Sequence, residues 1–499
     1  MEGIGKSFGL VRALDDVHLQ VEAGTIHALV GENGAGKTTL MRILYGATQP
    51  SEGTYTVFRE VHPDLPPKRE TAFANSAEAI RAGVGMVSQH YSIIPDLTCL
   101  ENLMLGAEPG WTIHRSDAIQ RASELATRMG FAFDWNTSAS GLSPAAAQKL
   151  EILKLLWRNS RVMILDEPTA MLSPADSDAL FASLKQLVED GSTVIVVTHR
   201  LPEVMQHSNA VTVLRGGKFI ESKPVQETNP SELAELIVGH AMAPISARAV
   251  PDNAEDLLTV HNLTVRGDRG DEALKEVAFG VRKGEVLGLA GVDGSGQREL
   301  FQALMGVRKI AFGEVILGGQ PIMDKSIFER LDLGVRLIPE DRHEEGVLEE
   351  WSLEENAALG LQRFGPFARG PWVQNAARER AAGSIAERFR TKHGGLKQPM
   401  ASLSGGNQQR FVAGRALFLT PRLILAFQPA RGLDIDATRN VYEGLYEECA
   451  KGAGALVVSF DLDELLQFCD RVVVLNLGRM YSASSKDRAE IGRLMVGAA

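Results

Sequence analysis

Residues 31–39 read G-E-N-G-A-G-K-T-T, which puts three glycines, a lysine and two threonines within nine positions. This is the G-x-x-x-x-G-K-[ST] spacing of a loop that wraps phosphate. Gly31, Gly34 and Gly36 free the backbone to turn its N–H groups inward around the phosphates, with Asn33 in the same curl. A helix opening at Thr39 adds a favourable dipole for an anion. Lys37 would set a point charge on the β- and γ-phosphates, and the Thr38 hydroxyl would serve Mg²⁺.

A second group matches it. V-M-I-L-D-E-P (162–168) buries four apolar residues and then presents two carboxylates at the carboxyl end of a strand, where α/β proteins bind ligands. Asp166 would hold Mg²⁺ directly or through water, and Glu167 would polarise a water against the γ-phosphate. His199 follows another buried run, S-T-V-I-V-V-T (192–198), and reads as a γ-phosphate sensor. Gln89, in G-M-V-S-Q-H (85–90), can hydrogen-bond a metal or water without adding charge.

These elements occur twice. The loop at 31–38 returns as G-V-D-G-S-G-Q-R (291–298) at an offset of 260. G-L-S-P-A-A-A-Q-K (141–149), D-E-P-T-A-M-L-S (166–173) and V-I-V-V-T-H (194–199) return at 261 as S-L-S-G-G-N-Q-Q-R, F-Q-P-A-R-G-L-D and A-L-V-V-S-F. A constant offset over 200 residues marks tandem duplication. Length agrees, since 499 residues exceed the roughly 250–300 that one core supports. We expect a first domain over 1–240, a linker over 241–256 rich in Ala, Pro and polar residues, and a second domain over 257–499. Within each half, short apolar runs alternate with helical patterns, as in an α/β domain with a mostly parallel sheet.

Residues 59–71, with prolines and charges, form an insertion that the second half lacks, and they read as a solvated surface loop. At the offset of 260 Met1 corresponds to His261, so most of the opening strand read at 257–265 has no counterpart. Either that edge is shorter or translation starts upstream of Met1.

The composition narrows the class. A net charge of −11, from 52 basic and 63 acidic residues, argues against a nucleic-acid-coating protein. Three scattered cysteines without a C-x-x-C pair exclude a zinc ribbon and a disulfide scaffold. No apolar run approaches the ~18–20 residues of a membrane span, and the N-terminus lacks a signal-peptide core. If the chain works at a membrane, partners must supply the span.

With L-S-G-G-N-Q-Q-R (403–410) added, the combination resembles the ATP-binding subunits of ABC transporters over nearly the whole chain, twice. That resemblance implies two tandem P-loop nucleotide-binding domains, each with a helical subdomain, working as a head-to-tail pair. Each ATP would then lie between the phosphate loop of one half and the signature loop of the other.

One site would take Lys37, Thr38, Asp166, Glu167 and His199 from the first half, and Ser404, Gly405, Gly406, Gln408 and Asp434 from the second. All of these are intact. The other would take Gln297 and Arg298 for the lysine and threonine, Phe427–Gln428 for the carboxylates and Phe460 for the histidine. Its signature would be the eroded S-P-A-A-A (143–147), and Ser173 would stand for Asp434. Proline offers no N–H to phosphate, and the added Cβ atoms keep the backbone away. Ser143–Pro144 still starts a helix soundly. The losses fall in one composite site, as expected for one hydrolytic and one inert site. Whether the inert site holds nucleotide stays open, because Arg298 brings some positive charge. Phe8 occupies the family's aromatic position for stacking adenine; read alone, it is equally an ordinary edge aromatic.

Fused halves with this signature resemble the ATPase of importers for simple sugars and nucleosides. The motifs at 291–297, 338–348, 428–434 and 459–464 lean to the nucleoside branch. The resemblance implies Mg²⁺-dependent ATP hydrolysis at the cytoplasmic face of a bacterial membrane. It also implies two permease subunits, an extracytoplasmic binding lipoprotein, and no nucleic acid. The regions around Gln89 and Glu340 would line grooves for the permease. The alternatives are a ribose- or galactose-type importer and a soluble tandem ABC protein without a permease.

Overall fold

Apolar runs of five or six residues become strands buried on both faces. In the computed structural model the chain is described at residues 1–9, 11–59, 68–88, 92–107, 114–169, 172, 174–239, 254–268 and 270–496. It divides into two units, Met1–Pro244 and Ile245–Ala499.

The first unit is built on a six-stranded sheet. Its order is Lys218–Pro224, Ala210–Arg215, Ile26–Gly31, Thr193–Val197, Val162–Asp166 and Val84–Val87. All neighbours are parallel except the hairpin of the first two. Side chains alternate between two cores. Met163, Leu165, Val194 and Val196 face the helical side, where Leu150, Leu153 and Trp157 pack. Ile164, Ile195 and Val197 face Leu40, Met41 and the small antiparallel sheet. Period-two burial on both faces is what a parallel α/β sheet requires.

The second unit repeats this order with Arg479–Ser482, Arg471–Asn476, Val286–Ala290, Gly454–Val458, Leu423–Phe427 and Val335–Ile338. Between the first two strands of each sheet in sequence, the starts Ile26 and Val84 are 58 residues apart, against 49 for Val286 and Val335. The first half's insertion falls there. It was expected as a surface loop over 59–71; Arg59 and Lys68–Thr71 instead lie in paired antiparallel strands, Thr56–Arg59 with Lys68–Thr71, and residues 60–67 lie outside the described residues. The second half makes up the length in its helical part, where Ala368–Arg369 pairs with Trp372–Val373.

The opening strand is Glu2–Phe8 in the first unit and Asp256–Arg266 in the second, seven residues against eleven. The shorter strand still pairs on both sides, with Val11–Val17 and Glu52–Thr54. Of the segment read as a linker, 241–256, residues 241–253 lie outside the described residues. Among the described residues no helix is long and apolar enough to cross a membrane.

Candidate functional site

Three parallel neighbours, Ile26–Gly31, Thr193–Val197 and Val162–Asp166, bring the chemistry of the first unit to one level. Leu29 pairs with Val197, and Val197 pairs with Asp166. The phosphate loop, Glu167 and His199 therefore emerge at one sheet edge.

The loop depends on its glycines. A Cβ on Gly31 would stand 2.2 Å from the Leu214 carbonyl oxygen. Gly36 sits at φ +94°, and a Cβ there would meet Leu14 at 2.5 Å. Gly36 caps the helix Lys37–Leu44, whose residues Leu40, Met41 and Ile43 anchor it to the core. Asn33, Gly34 and Thr38 are exposed, and Thr39 is half-buried. Lys37 is buried and donates to the loop's own carbonyls, Gly31 at 2.7 Å and Glu32 at 3.0 Å.

The Thr38 hydroxyl donates to Asp166 Oδ2 at 2.9 Å. Burial holds the Asp166 carboxyl above its ordinary value against that hydrogen bond and Lys37, and the charge of Glu167 adds to the rise. A hydroxyl beside a buried carboxylate is a hard-oxygen pair that suits Mg²⁺ bound mainly through substrate phosphates. No dedicated cage of three or more His, Cys, Asp or Glu groups occurs among the described residues, and such a metal needs none.

Glu167 Oε1 lies 3.1 Å from His199 Nδ1. Burial pushes Glu167 up. The hydrogen bond and charge of His199, with the charges of Lys37 and Arg200, outweigh it and hold the carboxyl below the ordinary glutamate range. It is therefore ionised at neutral pH and able to take a proton from water. Glu167 has φ +50°, a left-handed backbone held by its N–H to the Val197 carbonyl at 2.8 Å. Gln89 lies outside the described residues, as does Ser173.

Glu203 was not singled out from the sequence. Its carboxylate accepts from Thr169 at 2.7 Å, Ser177 at 3.2 Å and Arg200 at 3.1 Å, tying the turn after Glu167 to the turn after His199. Glu464, at the offset of 261, accepts from Tyr442 and Ser459. A glutamate repeated at the duplication offset was the available signal.

The second unit keeps the backbone and changes the chemistry. Leu289 pairs with Val458 and Val458 with Phe427, the same register as in the first unit. Gln428 repeats the positive φ of Glu167, at +44°, and its N–H reaches the Val458 carbonyl at 2.7 Å. Phe427 takes the place of Asp166 and packs edge-on against Phe301 at 5.3 Å and Phe460 at 6.2 Å. Where the first unit has a carboxylate and a histidine, the second has an aromatic cluster. Phe427→Ala is expected to cost about 3–5 kcal/mol, the loss for a buried aromatic. Denaturant unfolding checks this, and a cost below about 1 kcal/mol would mean that Phe427 is not core. Gln297 is buried and donates to the Val292 carbonyl at 3.1 Å.

Of the signature residues, Ser404 is exposed at the start of the helix Gly405–Ala416, and Gly405 and Gly406 are half-buried. Gln408 is turned inward. Its amide donates to the Met400 carbonyl at 3.0 Å and accepts from Arg342 at 3.2 Å. Asp434 caps the helix Ile435–Ala450 through the Ala437 N–H and pairs with Arg410 at 3.3 Å. The eroded counterpart Ser143 caps its own helix, accepting from the Ala146 N–H at 3.2 Å. Phe8 is 53% exposed at its strand end, with the Lys6 ammonium 5.1 Å from its ring.

The ABC transporter family matches residues 14–170 and again 274–430. A nucleoside import ATP-binding protein of Lactococcus lactis subsp. cremoris is 35% identical over 502 residues, covering 100% of this chain and 97% of that one. A glucose import ATP-binding protein of Haloferax volcanii is also 35% identical, over 533 residues that cover 100% of this chain and 95% of that one. Among solved structures, an archaeal ribosome recycling factor, in complex with a ribosomal stalk protein, matches with a TM-score of 0.68 at 18% identity over 99% of this chain and 92% of that one. At that identity the likeness concerns the fold alone.

Proposed function

We propose that this chain, which belongs to the ABC transporter family and is an ATPase coupled to transport, uses a single hydrolytic site to power nucleoside import. The observation that carries the single site is the register-matched exchange between the units. Lys37, Thr38, Asp166, Glu167 and His199 share one sheet edge, while Phe427 and Phe460 fill the same positions with apolar rings.

In this reading Lys37 and the loop N–H groups bind the triphosphate. Thr38 and Asp166, with Gln89, would hold Mg²⁺, which when bound would neutralise phosphate charge. Glu167 takes the proton of the attacking water, and His199 orients Glu167 and senses the γ-phosphate. The second half contributes Ser404, Gly405 and Gly406 to the same ATP, with Gln408 and Asp434 holding the signature helix and the helix after it in place, and Phe8 stacks on its adenine. ATP drives transport only through its differential affinity for the permease-switching state. Two permease subunits and an extracytoplasmic binding protein complete the importer, and the chain sits on them at the cytoplasmic face.

Overall identity does not rank the substrates, being 35% to both the nucleoside and the glucose relatives. The second-half motifs at 291–297 and 428–434 support nucleosides. Uptake of labelled uridine, adenosine, ribose and galactose in native cells, wild type against Glu167→Gln, tests this. Loss of nucleoside uptake alone is expected. Loss of sugar uptake instead would move the chain to the sugar branch, and no loss of either would point to another substrate or to the tandem ABC proteins without a permease.

A further inference from the structure

The second unit's phosphate loop is not left waiting for a nucleotide. Arg298, the second residue of the helix Gln297–Met305, donates through Nε at 2.9 Å and Nη2 at 2.8 Å to Glu340 Oε2. A cation in a first helical turn is opposed by the helix dipole, so a carboxylate there offsets a local cost. Glu340 is largely buried, its side chain 17% exposed, although Arg298 itself is 61% exposed. Glu345 and Asp293 add further negative charge around the guanidinium. The charge that would have welcomed phosphate is already neutralised from within.

Glu340 also belongs to a segment that grips the signature helix. Two residues on, Arg342 donates to Gln408 at 3.2 Å, and its guanidinium lies against Gly405, where an added Cβ would be 2.5 Å away. From the far end of the same helix, the buried Arg415 donates to the carbonyls of Gly346 at 2.6 Å and Asn356 at 3.2 Å. Residues 340–346 are therefore fixed to Gly405–Ala416 at both ends. The Arg298–Glu340 pair ties that assembly back to the phosphate-loop helix.

We infer that the Arg298–Glu340 ion pair replaces nucleotide as the link between the second half's phosphate loop and its signature-bearing segment. The intact signature is then held ready for the first half's ATP with the second loop empty of ATP. Arg298 and Glu340 are positioning residues, acting through Arg342 and Gln408. The inference rests on the reading that the second half's signature serves the first half's ATP.

The test is a double-mutant cycle on the full chain with its permease: Arg298→Ala, Glu340→Ala, both together, and the reversal Arg298→Glu with Glu340→Arg. Each single change is expected to raise KM for ATP about two- to fivefold with a smaller change in kcat, in line with one partly exposed ion pair. The double change should be no worse than either single one, and the reversal should recover most of the loss. Unchanged KM in the single variants, additive losses, or a reversal as impaired as the singles would overturn the inference. Lys37→Ala, run alongside, separates the two claims. Turnover surviving Lys37→Ala would sink the site reading. Turnover lost there but indifferent to residues 298 and 340 would sink only the ion-pair link.

Discussion

Lys37→Ala is expected to lower ATP turnover by roughly 10²–10³-fold, the usual loss when one preorganised charge is removed from a reacting centre. Lys37 is buried and already aimed into the loop, its ammonium on the Gly31 and Glu32 carbonyls at 2.7 and 3.0 Å. Triphosphate would exchange those carbonyl contacts for phosphate oxygens with little movement of the stem. The substitution removes both the ligand charge and the loop's internal staple. Lys37→Met keeps the stem and should lose turnover to the same degree, which separates charge from packing. Steady-state ATPase assays with saturating Mg²⁺ read the result. Turnover within about tenfold of wild type in both variants would refute the assignment of this loop to the hydrolysed ATP.

Glu167→Gln is expected to cost about 10²–10⁴-fold in hydrolysis while keeping ATP bound, the range for losing a positioned general base. The exchange is nearly isosteric. The backbone at φ +50° is fixed by the hydrogen bond from Glu167 N–H to Val197, which an amide side chain leaves untouched. What disappears is a carboxylate that His199, Lys37 and Arg200 keep ionised against burial. Retention of labelled ATP without release of phosphate is the signature to look for. Rapid hydrolysis in this variant would remove Glu167 as the base.

The two site halves differ in how far the sequence exposed them. The phosphate loop was readable because each residue type answers a local need. Gly31 leaves room for the Leu214 carbonyl, Gly36 adopts a left-handed turn, and Lys37 follows at fixed spacing. The sheet edge was readable because four apolar residues precede Asp166 and the repeat carries the same register to Phe427. The substitution of chemistry by hydrophobic packing in the second unit also showed in the letters, since Phe427 and Phe460 sit at the offsets of Asp166 and His199.

Contacts between distant segments were not readable. Arg298 and Glu340 are 42 residues apart, and Thr169 and Glu203 are 34 apart. No local periodicity joins such pairs. Gln408 was assigned to the ATP site with the rest of the signature, yet Arg342 and the Met400 carbonyl draw it inward, and neither partner lies within the motif. The pairing of Thr56–Arg59 with Lys68–Thr71 was hidden because K-R-E-T (68–71) has no apolar residue and so lacks the alternation of a half-buried strand.

The central claim is asymmetry between two units with the same backbone, and Glu167 and Gln428 occupy equivalent left-handed positions in them. The direct measurement is steady-state ATP turnover of the permease-bound protein in Glu167→Gln and, separately, in Gln428→Asn, a change that suits a positive φ. Turnover should collapse in the first and stay within about twofold of wild type in the second. Comparable losses in both variants, or survival of turnover in Glu167→Gln, would contradict a single hydrolytic site in the first half.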